Sequence, residues 1–138
     1  MSYRTYSELS SSTVPSQVYN PSLHSQYDVM SVQSRQHKTK LLNDNTILCV
    51  YVWGNNCRSC TVASPKYVEF ATKYNEPGKR VSFVKEDVGL GLSDCTAVPI
   101  FQIYIRGNPK YVEQVIGPNF TELGQKLDHV VKFINNPR

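Results

Sequence analysis

The chain has 138 residues, of which 40% are hydrophobic and 19% charged, a composition typical of one globular domain with a sizeable core. Its net charge of +4 is spread along the sequence, and the one basic cluster, residues 35–40, lacks interleaved aromatic side chains, so nucleic-acid binding is not favoured. The longest apolar run, Ile47–Trp53, is far shorter than the roughly 18 residues of a membrane span, and no apolar segment follows Arg4 as in a signal peptide. We therefore expect a cytoplasmic protein without membrane contact, with packaging into a larger particle as an open alternative.

Residues 1–27 differ in composition from the rest of the chain. Serine, glutamine and proline are interspersed with four tyrosines, and no apolar period is sustained. A segment of this kind buries too little apolar surface to offset the entropy lost when it becomes ordered. We predict a disordered N-terminal extension over residues 1–27 and a single domain over residues 28–138.

From residue 28 onward, the hydrophobic pattern alternates between strand and helix. In chain order it predicts a short strand over 28–32, a helix over 34–42, a buried strand over 46–53, a helix over 59–74 and a strand over 81–85. A short loop over 87–98 precedes an antiparallel hairpin over 100–105 and 111–116, and a last helix begins after a capping residue, Asn119. This order predicts an α/β fold with a central mixed sheet, in which a parallel half joins an antiparallel hairpin, and with helices on both faces.

Cys57 and Cys60 come directly after the buried strand, at the predicted start of the next helix. The free backbone N–H groups and the positive end of the helix favour a thiolate at Cys57. Cys60 lies one turn further along on the same side, close enough to form a disulfide, and the residues at 54–56 offer little bulk to cover Cys57. The pattern therefore predicts an attacking cysteine, Cys57, and a resolving cysteine, Cys60.

A pair of cysteines with this spacing can also be half of a zinc or iron–sulfur site. Such a site needs further ligands, but Cys49 lies inside a predicted strand, Cys95 stands alone and the three histidines are scattered. We therefore expect no metal and no other cofactor. Cys49 is expected to be inert, and Cys95 to pack as a small apolar side chain, with a regulatory or dimer-forming thiol as the alternative.

The segment Val-Tyr-Val-Trp-Gly-Asn-Asn-Cys-Arg-Ser-Cys at 50–60, with Pro65 after it, resembles the active-site strand and helix of thioredoxins. The segment Ala-Val-Pro-Ile at 97–100 resembles the cis-proline loop of that family, and Gly107 and Gly117 fall where the family has a hairpin glycine and a later one. The resemblance covers residues 28–135. It implies a thioredoxin-like fold in which Cys57 is the catalytic nucleophile and Cys60 the resolving thiol.

The resemblance also implies how a substrate would bind. Pro99 would be cis, which leaves the backbone of Val98 free to pair with an extended substrate segment, and Trp53 and Arg58 would lie beside the cysteines. Pro65 would kink the active-site helix. The implied function is thiol–disulfide exchange and electron transport with disulfide-containing or dithiol proteins, supported by a reductase or an oxidase. The alternative is a binding or structural module of the same fold with weak or no redox activity.

The sequence departs from the thioredoxin pattern at several positions around the cysteines. Asn56 replaces a tryptophan, Arg58 and Ser59 replace Gly-Pro, Tyr51 replaces a buried aspartate, and Phe83 falls where the family has a buried lysine. The cation of Arg58 beside Cys57 stabilises the thiolate, so we expect a stronger oxidant than thioredoxin. Without the carboxylate, the Cys60 step is expected to be slow. The short loop over 87–98 predicts that the third helix of the fold is reduced to a turn.

Overall fold

The structure is a computed structural model that describes residues 27–136. Within this range one sheet contains β1 (Met30–Ser31), β2 (Ile47–Trp53), β3 (Ser82–Asp87), β4 (Ile100–Ile105) and β5 (Glu113–Ile116). The helices are α1 (Arg35–Asp44), α2 (Arg58–Asn75) and α3 (Phe120–Asn135), and a single 3₁₀ turn, Val88–Leu90, follows β3. The predicted elements are present in the predicted order, and the loop after β3 carries only that short turn.

The sheet is mixed, with the strand order β1-β3-β2-β4-β5. β1, β3 and β2 run parallel, whereas β4 is antiparallel to β2 and β5 to β4. The register pairs Val52 with Ile100, so the segment that enters β4 lies beside the segment that leaves β2. This pairing brings the two predicted parts of the site together, and the architecture confirms the predicted α/β class.

Helices cover both faces of the sheet because side chains of β2 alternate between two apolar cores. Tyr51 belongs to the larger core, where Tyr67 of α2 and Leu127 of α3 are also buried. Val50 belongs to the smaller core, against which Leu42 of α1 packs. A strand buried on both faces explains the unbroken apolar run that the sequence shows there.

The two long helices begin and end at residues with clear local roles. The side chain of Asn119 accepts a hydrogen bond from the N–H of Glu122 at 3.0 Å and so caps α3. At the end of α2, the Asn75 side chain bonds both the N–H and the carbonyl of Val81, which fixes the turn into β3. Pro65 lies inside α2 on its exposed side.

Residues 1–26 of the predicted extension lie outside the described residues, and its last residue, Tyr27, packs against the domain. The Tyr27 ring meets the Phe83 ring edge-on at 5.6 Å, and its hydroxyl accepts a hydrogen bond from the Phe83 N–H at 2.9 Å. The Tyr27 N–H donates to Thr72 Oγ1 at 2.8 Å. No helix in the described part of the chain has the length and apolar character needed to span a bilayer.

Candidate active site

Cys57 and Cys60 lie at the junction of β2 and α2, and they form a disulfide with their Cα atoms 5.2 Å apart. Cys57 is the N-cap residue of α2, and Cys60 lies in the first turn. The chain turns sharply at Asn56, whose φ of 58° is a left-handed conformation that asparagine tolerates better than bulkier residues do. The replacement of tryptophan by Asn56 therefore matches the local backbone.

The two sulfurs differ in exposure. Cys57 is half-buried, whereas only 3% of Cys60 is accessible. The backbone N–H of Cys60 donates to Cys57 Sγ at 3.1 Å, in the direction that stabilises negative charge on that sulfur. A second molecule can therefore reach Cys57 and not Cys60, and the helix start favours an anion at the reachable sulfur.

The loop before β4 lies against the disulfide. The Val98–Pro99 peptide bond is cis, the isomer that the resemblance implies, and Pro99 is buried. The carbonyl oxygen of Val98 lies 3.7 Å from Cys57 Sγ. On the other side, the N–H of Gly117 donates to the Pro99 carbonyl at 2.9 Å. The structure thus places the Val98 carbonyl beside Cys57 Sγ, with the buried Pro99 following it in the chain.

An open depression of about 690 Å³ surrounds the disulfide. Trp53 and Arg58 both line it, together with Cys57 and Cys60. Trp53 is partly buried against the larger core, while Arg58 is exposed, and no carboxylate of residues 27–136 pairs with it. The site therefore offers a surface around the reachable sulfur with one uncompensated cation.

Tyr51 lies beneath Cys60 on the larger core. Its hydroxyl lies 3.0 Å from the Cys60 carbonyl oxygen and 2.9 Å from Ser64 Oγ, which itself donates to that carbonyl at 2.9 Å. Burial raises the pKa of Tyr51, while the hydrogen bond to Ser64 acts in the opposite direction. Tyr51 is therefore a neutral hydroxyl near pH 7, and it cannot replace the carboxylate as a base.

Among residues 27–136, the buried charged side chains lie on the face of the sheet opposite Tyr51. Phe83, which the resemblance puts at the place of the family's lysine with Lys85 two residues on, is fully buried in the larger aromatic core. Across the sheet, Lys38 Nζ lies 2.8 Å from a carboxylate oxygen of Glu86, whose side chain is fully buried. This pair is not among the residues predicted from the sequence. The spacing along each element could have indicated it. Glu86 lies two residues after the buried Val84 in β3, and Lys38 lies four residues before Leu42 in α1, so both side chains face the smaller core.

The remaining cysteines lie away from the disulfide. Burial raises the pKa of Cys49 to about 12, so the thiol stays protonated at neutral pH. Cys95 is half-buried against the smaller core, and burial, followed by the nearby Glu86 carboxylate, raises the pKa of its thiol. Among residues 27–136, no three histidine, cysteine or acidic side chains come together as metal ligands.

Comparison with known proteins gives a clear structural result. No family model matches the chain, and no curated protein sequence matches it. Solved structures do match. The thioredoxin of Trypanosoma brucei brucei has a TM-score of 0.65 at 22% identity, over 76% of this chain and 92% of that one. Plasmodium falciparum thioredoxin has a TM-score of 0.64 at 24% identity, over 73% of this chain and 98% of that one. Fasciola hepatica thioredoxin has a TM-score of 0.60 at 25% identity, over 73% of this chain and 98% of that one.

The chain is therefore a protein of the thioredoxin fold. Its Cys57–Cys60 disulfide fits a Cys-x-x-Cys active site, and the predicted resemblance to thioredoxins is confirmed.

Proposed function

We propose that this protein is a thiol–disulfide oxidoreductase that exchanges protein disulfides through Cys57 and Cys60. The observation that carries the proposal is the asymmetric disulfide at the start of α2, with a reachable Cys57 and a covered Cys60. This asymmetry assigns a different step to each sulfur.

In the reducing direction, the Cys57 thiolate attacks one sulfur of a substrate disulfide. The substrate S–S bond breaks, one substrate sulfur leaves as a thiolate, and a mixed disulfide forms at Cys57. The Cys60 thiol then loses its proton and attacks Cys57 Sγ, which releases the second substrate thiolate and closes the Cys57–Cys60 disulfide. Two electrons pass from the dithiol to the substrate. The reverse sequence oxidises a dithiol substrate, and a reductase or oxidase partner restores the starting state.

The substrate segment binds beside Cys57 along the backbone of Val98. An extended peptide can pair with the backbone of that residue, whose carbonyl oxygen lies 3.7 Å from Cys57 Sγ. Trp53 provides an apolar wall of the depression around the disulfide, and the exposed Arg58 adds a positive charge there. These contacts select a disulfide in an extended and accessible segment.

The proposal includes an oxidising tendency. Both the Cys60 N–H and the Arg58 cation stabilise the thiolate of Cys57, and a stabilised reduced form makes the disulfide a stronger oxidant. The reduction potential should therefore lie between the roughly −270 mV of thioredoxin and the roughly −180 mV of a disulfide isomerase. Equilibration against glutathione buffers measures it, and a midpoint at or below −270 mV would refute this part of the proposal.

The second candidate is a binding or structural module that retains the fold with little redox activity. The hydrogen-bonded Tyr51 favours it, since no carboxylate assists Cys60 in the described structure. Such a module has no need for a reachable Cys57.

A trapping experiment distinguishes the two candidates. Cys60→Ser removes the resolving thiol, so an oxidoreductase accumulates mixed disulfides on Cys57 with its substrate proteins. Cys57→Ser is the matched control, because the cysteine of the pair that it retains, Cys60, is only 3% exposed and the other two cysteines are the same in both variants. Adducts that form with Cys60→Ser, are absent with Cys57→Ser and dissolve in reductant support the enzyme. Equal or absent adducts with both variants support the module.

A further inference from the structure

We propose that Lys38, Glu86 and Ser93 form a positioning network that orders the substrate-binding loop, residues 91–99. The network lies on the face of the sheet opposite Tyr51, and the inference rests on the proposed function. Its role is to keep the Val98 backbone in the conformation that a peptide substrate pairs with.

The three side chains form a closed set of contacts between three elements. Lys38 Nζ, from α1, lies 2.8 Å from one Glu86 carboxylate oxygen and 3.1 Å from Ser93 Oγ. Ser93 Oγ donates to the other Glu86 oxygen at 2.6 Å. The two bonds of Ser93 fix the loop relative to α1 and β3, and the Lys38–Glu86 contact joins that helix to that strand. Bonds that involve an ionised partner are the strong ones.

The loop has few other restraints. Residues 91–99 belong to no helix or strand, and no backbone–backbone hydrogen bond of the described chain involves residues 92–98. Leu92, Cys95 and Val98 contact the smaller core through their side chains. Such apolar contacts are not directional, and the bond that Gln102 Nε2 donates to Cys95 Sγ is long at 3.8 Å, so Ser93 supplies the short, oriented polar bonds of the loop.

Stability alone is a poor reason for this network. Removing two charges from water is costly, and well-packed apolar residues in place of a buried ion pair are often neutral or stabilising. The Glu86 side chain is 0% exposed and that of Lys38 10%, whereas the Lys40–Asp44 pair, on the same helix as Lys38, is exposed at 74% and 54%. The buried pair is therefore best explained by the geometry that it imposes on Ser93 and the loop beyond.

The test compares a peptide disulfide, which pairs with Val98, with a small disulfide such as hydroxyethyl disulfide, which reaches only Cys57. Ser93→Ala removes the loop's polar anchor and leaves the ion pair in place. The double variant Lys38→Met, Glu86→Leu removes the pair without leaving a buried lone charge. Lys40→Met is the matched control on the solvated face of α1.

For Ser93→Ala and the double variant, we expect KM for the peptide to rise about tenfold, because the competent loop is then populated about a tenth of the time. Turnover of the small disulfide and the redox midpoint should not change, and Lys40→Met should behave as wild type. Equal losses with both disulfides, or unchanged KM for the peptide, overturn the inference.

Backbone ¹⁵N order parameters separate this inference from the proposed function. If the wild type reduces neither disulfide, the proposed function fails, and the order parameters of residues 94–98 decide the positioning role. Lower order parameters there in Ser93→Ala, with α3 unchanged, support the network. Unchanged order parameters overturn it.

Discussion

The release of a substrate from Cys57 should proceed without help from an internal base. Cys60 must lose its proton before it attacks, and the polar groups bonded to its carbonyl are the hydroxyls of Tyr51 and Ser64. Burial raises the pKa of Tyr51, so that hydroxyl accepts no proton near neutral pH. No carboxylate lines the depression around the disulfide. The rate of this step should then follow the small thiolate fraction of Cys60.

The expected magnitude follows from simple titration. Below the pH at which a thiol half-ionises, about 8.5 for a free cysteine, its thiolate fraction rises about tenfold per pH unit. The resolving rate should therefore increase about a hundredfold between pH 6 and 8, with no plateau. Tyr51→Phe should leave this profile unchanged. It should lower the free energy of unfolding by only about 1 kcal/mol, because Ser64 still donates to the Cys60 carbonyl.

Stopped-flow fluorescence can follow this step, because Trp53 is the single tryptophan of the chain and lines the site. Reduced protein is mixed with excess peptide disulfide, so that attack by Cys57 is fast and the concentration-independent phase reports the Cys60 step. A rate that levels off below pH 7 would refute the reasoning, since it requires a base. A profile that levels off in the wild type and becomes steeper in Tyr51→Phe would show that Tyr51 transfers the proton.

Three further changes test other parts of the structure. Burial raises the pKa of Cys49 from 9.0, the value for an exposed thiol, to about 12. The free energy of unfolding should therefore fall by about 1.4 kcal/mol per pH unit between pH 9 and 12, and urea titrations of Cys49→Ala should lack this contribution to the pH dependence. At Gly54, an added Cβ would lie 3.4 Å from Val98 Cγ2 and 3.1 Å from Val88 Cγ1, so it would push against Val98. Gly54→Ala should therefore raise KM for a peptide disulfide severalfold, and an unchanged KM would contradict the placement of Val98. Arg58→Gln should make the reduction potential more negative, and Arg58→Lys should largely preserve it. Identical potentials in redox titrations of the wild type and Arg58→Gln would show that the Arg58 cation does not stabilise the Cys57 thiolate.

The order of the strands and helices and the position of the cysteine pair can be predicted from the sequence, because both depend on local patterns. The apolar run at Ile47–Trp53, the turn after it and the cysteine spacing predict a buried strand followed by a dithiol at a helix start. The hairpin around Gly107 predicts the pairing of β4 with β5, whereas the register that places the Val98 carbonyl beside Cys57 is visible only in three dimensions.

Other features depend on contacts between distant parts of the chain. The Lys38–Glu86 pair joins residues 48 positions apart in sequence, and charged side chains are ordinarily assigned to the surface. Similarly, Tyr51 could be recognised as a departure from the thioredoxin pattern, but its bond to the Cys60 carbonyl is visible only in three dimensions. The boundary of the extension is a third example, because Tyr27 packs on Phe83 of β3.

The assignment of Cys57 as the nucleophile is tested best by the pH dependence of cysteine alkylation in the reduced protein. Iodoacetamide labelling at a series of pH values, with peptide mass spectrometry, measures Cys57 and Cys60 separately. The structure predicts that Cys57 reacts first and reaches half its maximal rate below about pH 8.5, while Cys60 reacts far more slowly. Faster labelling of Cys60, or a Cys57 that remains unreactive up to pH 9, would contradict the assignment of Cys57 as the nucleophile.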